Sequence, residues 1–182
     1  MVEILRIEGD VMDTMVRIGE EQGKKIVFID EIRFHGKRSI NWKEVEAYLA
    51  KYRGQSFQVE ETGDVIYIDR TLEDEFASSM DTMRLKGTLA KAKANAAQGI
   101  AQMIGVASNR RFKENMKAKH EEDARLGWYR FDILFSLPVF AKSGSIERRN
   151  LFRGELVVRH AKNGKKYLYD IVNIKKETSN PL

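Results

Sequence analysis

The sequence predicts an α+β fold, with a small N-terminal β-α-β-β lobe, then helices followed by a mostly antiparallel sheet. Three observations carry that expectation. Leu85, Leu89, Ala92, Ala96 and Ile100 recur at the spacing of one helix face. Residues 128–137 alternate instead, sending Tyr129, Phe131, Ile133, Phe135 and Leu137 to one side of a strand. Residues 152–160 and 167–174 flank Lys162-Asn163-Gly164-Lys165. Asn-Gly is a strong hairpin signal because both central positions of the favoured turn need positive φ.

Taken in order, residues 3–8 read as a short strand and 11–18 as an amphipathic turn or helix. Residues 25–29 form a strongly apolar strand running toward Ile32 and Phe34, and Gly36 breaks it. Asn41 is placed to cap a helix that carries Trp42, Val45, Leu49 and Tyr52 on one face and stops at Gly54. A turn at 61–64 joins residues 56–60 and 65–68 as a hairpin. The polar stretch 70–81 is the expected boundary between an acidic lobe, 1–80, and a basic domain, 81–182. Beyond it, Gly99 and Gly105 break or bend the Ala-rich helix. Asn109 starts a second helix over 110–125, and Gly127 ends it. Pro138 ends or edges the following strand, and 142–145 make a turn. Residues 175–182 fit either a true terminus or the cut edge of a longer protein.

With 42% hydrophobic residues and only 2 Pro, the chain has the composition of a globular protein rather than a disordered one. The absence of cysteine excludes disulfides and thiolate metal sites. No apolar run approaches the roughly 18 residues of a membrane span, and the N-terminus lacks the order of a signal peptide. A cytoplasmic protein without a membrane partner is expected. Charge is unevenly distributed: residues 1–80 carry 11 Lys and Arg against 17 Asp and Glu, and residues 81–182 carry 21 against 10. A basic half of this kind suits a polyanion, whose counterions are released on binding. Packing of an acidic module on a basic one accounts for the same asymmetry.

Histidine occurs only at 35, 120 and 160, and no HExxH, phosphate loop or GxSxG motif is present. The sequence therefore offers no metal site and calls for no cofactor. His120 follows Met116 by four residues, with Lys113, Lys117 and Lys119 nearby and Asp123 three residues on. A histidine held by a carboxylate can serve as a general acid or base, and a boundary histidine that merely packs has the same pattern. His160 ends a strand beside Arg159. With Arg130, Arg153 and Glu155 it supplies the parts of metal-independent RNA cleavage. A base takes the 2′-OH proton, an acid protonates the leaving 5′-oxygen, and arginines stabilise the phosphorane. Cross-strand ion pairs on a solvated face explain the same residues. Lys113, Lys117, Arg148, Arg149, Arg153 and Lys176 are candidate nucleic-acid ligands. Trp128, Tyr129, Tyr167 and Tyr169 fit either base stacking or core packing.

The last 74 residues contain Asn-Arg-Arg-Phe-Lys-Glu-Asn (109–115), Lys-His (119–120), Asp-Ala-Arg-Leu-Gly-Trp-Tyr-Arg (123–130), Leu-Pro-Val (137–139), Leu-Val-Val-Arg-His (156–160) and Leu-Tyr-Asp-Ile-Val-Asn-Ile-Lys-Lys-Glu-Thr (168–178). As a unit, this segment resembles domains carried by phages and integrative elements of gut Firmicutes, including extensions of MuF-type head-morphogenesis proteins. These look like members of the barnase–EndoU–colicin E5/D–RelE-like nuclease group. The resemblance implies helices followed by a four-stranded antiparallel sheet, and a metal-independent ribonuclease-like activity. It further implies His120, Arg130, Arg159 and His160 as catalytic candidates, with RNA rather than DNA as nucleic-acid partner. An immunity or phage structural protein is a further possible partner. A non-catalytic nucleic-acid-binding or phage/conjugation accessory protein is the alternative.

Overall fold

The structure, a computed structural model, describes Glu3, Ile4 and residues 16–36 and 38–178. Most of the expected 3–8 strand and residues 11–15 of the expected amphipathic turn lie outside that range. From Val16 onward the chain is strand rather than helix. β2 (Val16–Glu21) folds back on β3 (Lys24–Ile29) through Gln22 and Gly23, both at positive φ, and β1 (Glu3–Ile4) pairs with β2. That two-residue turn matches the strand twist, which is what makes the hairpin favourable.

α1 (Trp42–Leu49) forms as its apolar spacing predicts and buries Val45, Tyr48 and Leu49. Asn41 stands at the N-cap, but its side chain makes no capping hydrogen bond. β4 (Ser56–Gln58) and β5 (Val65–Tyr67) make the expected hairpin. The polar stretch read as a boundary is instead two short helices, α2 (Arg70–Ser78) and α3 (Met80–Arg84). Asp69 and Ser79 cap them by accepting from the Thr71 and Thr82 N–H groups, and Leu72 and Phe76, one turn apart, enter the core. α4 (Gly87–Ala96) and α5 (Ile100–Val106) follow, joined by a tight turn at Ala97–Gly99.

The second corrected element is 110–125, which is not a helix. Ser108–Lys113 is strand β6, paired antiparallel with β7 (Gly127–Phe140), and one short 3₁₀ turn at Ala118–His120 lies in the connection. Gly127 is required for a reason other than ending a helix. Its φ is +108°, and a Cβ there would stand 2.4 Å from the Phe112 ring. β8 (Ile146–His160) and β9 (Lys166–Thr178) complete the antiparallel run through the Asn163-Gly164 turn. Pro138 does not end its strand but pairs with Arg149 inside it.

Among the described residues the strands form one sheet ordered β1-β2-β3-β7-β8-β9-β5-β4, with β6 also on β7. The long β7-β8-β9 run is antiparallel, while β3 joins β7 and β5 joins β9 in parallel. Strands from before residue 80 thus flank the C-terminal strands on both sides. One core links Ile29, Leu49 and Ile66 with Ile100, Met103, Phe131, Phe152 and Leu168. The sheet curls around α5, which touches β2 and β3 on one side and β4 on the other; the Glu60 N–H, just after β4, donates to the Gly105 carbonyl of α5, and Lys25 Nζ of β3 lies 2.9 Å from Glu60 Oε2. Ala92, Ala94, Ala96 and Ala97 are fully buried, and their small side chains let the α4–α5 segment sit in this space. Asn95 and Gln98 satisfy the irregular segment after β3. Asn95 accepts from the Arg33 and Phe34 N–H groups at 2.8 and 3.1 Å, and Gln98 donates to the Glu31 carbonyl at 3.0 Å. No helix among the described residues is long and apolar enough to cross a membrane.

Candidate functional site

On the open side of the sheet, four neighbouring strands converge on one carboxylate. Glu155, on β8, accepts from Arg111 Nη2 of β6 at 3.0 Å, Arg130 Nη1 of β7 at 2.8 Å and Asn173 Nδ2 of β9 at 2.6 Å. Directly across from it on β7 stands Asp132, which accepts from the same Arg111 Nη2 at 2.9 Å and from Asn109 Nδ2 at 2.8 Å. Like charges therefore face each other twice, Arg111 opposite Arg130 and Asp132 opposite Glu155, and the attractive pairs run along the diagonals. Both asparagines hold positive φ, 55° at Asn109 and 54° at Asn173, beside register irregularities of their strands. A non-glycine residue in that region is uncommon, and here both amides point into one cluster. Partial burial pushes the Glu155 carboxyl up, but Asn173, Arg130 and Arg111 outweigh it and hold the group below its ordinary range. Beside the cluster opens a cleft of about 1340 Å³, lined by Asp132, Glu155 and Asn173 and also by Lys24, Arg153 and Lys175.

Of the four sequence-predicted catalytic residues, Arg130 belongs to this cluster. His120 lies further along the same side of β7, its ring 5.1 Å from Trp128 and 5.8 Å from Tyr169. Its Nδ1–H donates to Asp123 Oδ2 at 3.0 Å, which leaves Nε2 as the second ring nitrogen for proton transfer. Trp128 and Arg130 are two residues apart on β7 and so share a side, with about 7 Å between them. Arg159, paired in register with Trp128, is buried; it binds Asp69 and donates to the Asp123 carbonyl, so it positions the turn that carries His120. His160 is elsewhere. Its Nε2–H donates to the Gly164 carbonyl at 3.1 Å, and its ring packs on Tyr129, whose side chain leaves β7 opposite to Trp128. The two histidines are thus not brought together.

The basic candidates also divide. Lys113, Lys117 and Lys176 are exposed, and among the described residues none of them makes an ion pair. Arg148 is exposed near Glu147, and Arg153 is half-exposed and paired with Glu177 at 2.8 Å. Arg149 is buried against Asp30 at 2.6 Å, which Arg17 also binds, and so it belongs to the sheet's packing rather than to a binding surface. Among the described residues no three His, Asp or Glu side chains gather as a metal site.

A separate buried group joins the helices to β9. Lys93 is fully buried, with Nζ 2.9 Å from Asp170 Oδ1 and 3.2 Å from Asp81 Oδ2. Burial pushes the Asp170 carboxyl up to about 6 against the pull of Lys93, Ser79 and the Ile171 N–H.

Sequence reasoning misses Arg111, Asp132, Asn109 and Asn173 as members of the cluster. The helical reading of 110–125 hides Arg111, and positive φ at an asparagine leaves no trace in composition. Their one signal in the sequence is the polar side of residues 128–137, where Arg130 and Asp132 alternate with the core residues. No family model, curated protein or solved structure matches this chain.

Proposed function

We propose that this chain is a metal-independent ribonuclease-like domain of a mobile genetic element, acting on RNA in the cytoplasm. The observation that carries the reading is Glu155, an ionised carboxylate between two arginines on the solvent-open side of a four-stranded antiparallel run, β6 to β9, that follows helices. A scissile phosphate taken by Arg111 and Arg130 lies beside Glu155, whose carboxyl, protonated as the anion arrives, donates to the leaving 5′-oxygen. The guanidiniums stabilise the charge that develops on the phosphorane. His120, on the same side of β7, accepts the 2′-OH proton at Nε2. Arg159 and Asp123 act through it as positioning residues.

Labelled RNA incubated in EDTA with the chain, Glu155→Gln, His120→Ala and His160→Ala tests this. Cleavage by the parent and by His160→Ala, abolished in the other two, is expected, with DNA of the same sequence left intact. Uncut RNA in the parent reaction overturns the catalytic reading. Salt-dependent retention without cleavage gives the second reading, a nucleic-acid-binding accessory protein, which the pairing of Arg130 with Glu155 favours because both groups are already neutralised.

A further inference from the structure

We infer that Arg111, Arg130 and Asn173 form a preassembled oxyanion site, and that Glu155 occupies it as a stand-in, leaving it with uptake of one proton when a phosphodiester or another tetrahedral oxyanion binds. The inference rests on the placement of phosphate proposed above and adds to it a linkage between anion and proton. Three donors from three strands meet on this single carboxylate. The planar guanidinium fork that pairs with a carboxylate pairs equally with phosphate oxygens. Stability gives little reason for the arrangement: Arg130 and Arg111 side chains are 46% and 38% exposed, and ion pairs that open to water contribute little. Two residues, Asn109 and Asn173, nevertheless stand in the left-handed region with their amides aimed at the cluster.

Room for the displaced carboxylate exists, because Glu155 lines the large cleft. The charged groups around it are Arg111 from β6, Arg130 and Asp132 from β7, and the Arg153–Glu177 pair of β8 and β9; Glu21, Lys24, Lys25, Glu60, Glu61 and Lys175 face it along the cleft. An oxyanion that takes the two arginines removes what stabilises ionised Glu155. It leaves the partial burial and the Asp132 charge, and adds a further negative neighbour. Glu155 then binds a proton, and the neutral acid hydrogen-bonds the new anion rather than repelling it.

Two probes separate this from cleavage: sulfate, which keeps its charge across the neutral range, and a short oligodeoxythymidine, which has no 2′-OH to react. Each is titrated into the parent chain and Glu155→Gln by calorimetry, in buffers of differing ionisation enthalpy. The parent is expected to take up a proton on binding and to bind more tightly as pH falls. Glu155→Gln is expected to bind about tenfold more tightly at neutral pH, because a like charge beside the anion is gone, and to lack that proton. Equal or weaker binding by Glu155→Gln, or proton uptake equal to the parent's, overturns the inference. Arg130→Gln, at the exposed rim, must weaken both probes, and unchanged affinity overturns it too. Intact RNA together with a proton-linked anion site removes the nuclease reading alone. Cleavage without the linkage removes this inference alone.

Discussion

Asp132 and Glu155 stand directly opposite each other on β7 and β8, and one nitrogen of Arg111 reaches both carboxylates, at 2.9 and 3.0 Å. Facing carboxylates repel, so Arg111 holds the sheet together at the point where its open side carries the most polar groups. Arg111→Gln is expected to destabilise the fold by about 1 kcal/mol, the scale of half-exposed pairs. Adding Asp132→Asn should restore part of that stability by removing one of the two repelling charges. Urea unfolding of the two variants decides it, since a further drop in the double variant contradicts the bridging role.

Lys93 carries a different kind of charge, one fully removed from water. Lys93→Ala leaves Asp170 buried without its main partner and is expected to cost about 3–5 kcal/mol. The pH dependence has a definite sign. The Asp170 carboxyl titrates at about 6 in the fold, above its ordinary value near 4, so its protonated form favours folding and that contribution fades as pH rises from about 4 to 6. Without Lys93 the carboxyl moves higher still. The deficit of Lys93→Ala should therefore be larger at pH 7 than at pH 5 in paired denaturation curves.

Gly127 cannot accept a side chain. Its φ of +108° and the Phe112 ring both oppose a Cβ, and Gly127→Ala is expected to destabilise by about 2–4 kcal/mol. Phe112→Ala in the same chain removes the clash with the ring but neither the Lys113 carbonyl oxygen, 2.9 Å from the Cβ, nor the strained φ, so it should recover only part of that stability. Thermal melts of the single and double variants measure both.

Arg149 and the exposed lysines should separate stability from binding. Arg149→Ala leaves Asp30 with Arg17 as its remaining partner and is expected to lower stability by about 1–2 kcal/mol without changing RNA affinity. Lys113→Ala, Lys117→Ala and Lys176→Ala should leave unfolding unchanged and weaken RNA retention. Each is expected to reduce the slope of log affinity against log salt by about 0.7 for every single-strand phosphate that its lysine neutralises. Filter binding across a salt series shows which residues meet phosphate.

The 128–137 alternation, the Asn163-Gly164 turn and the α1 face are legible because their signals are local. A period of two or 3.6 and a turn that needs positive φ are written in neighbouring residues. Two elements depend on the tertiary context. Residues 70–81, expected as a boundary, form α2 and α3, which the sequence hides because only a few apolar side chains, Leu72 and Phe76 foremost, face inward from α2. Residues 110–125 look helical because the partner that makes Ser108–Lys113 a strand is β7, many residues further on. The site shares that dependence on distant pairing. Arg130 and Glu155 are visible as polar residues in apolar strands, yet nothing near them names Arg111 or Asn173 as their partners.

By itself the sequence determined the α+β class, the hairpins at 56–68 and 152–174 and the basic character of residues 81–182, since composition and short-range periodicity fix those. Only the tertiary structure decided that β3 and β5 flank the C-terminal strands in parallel and that the sheet curls around α5. It alone gathered Arg111, Arg130, Asp132, Glu155 and Asn173 on one open face and set His160 on the other side of β7 from His120. Register between strands distant in sequence makes that choice: a shift of one residue would turn every one of these side chains to the opposite face.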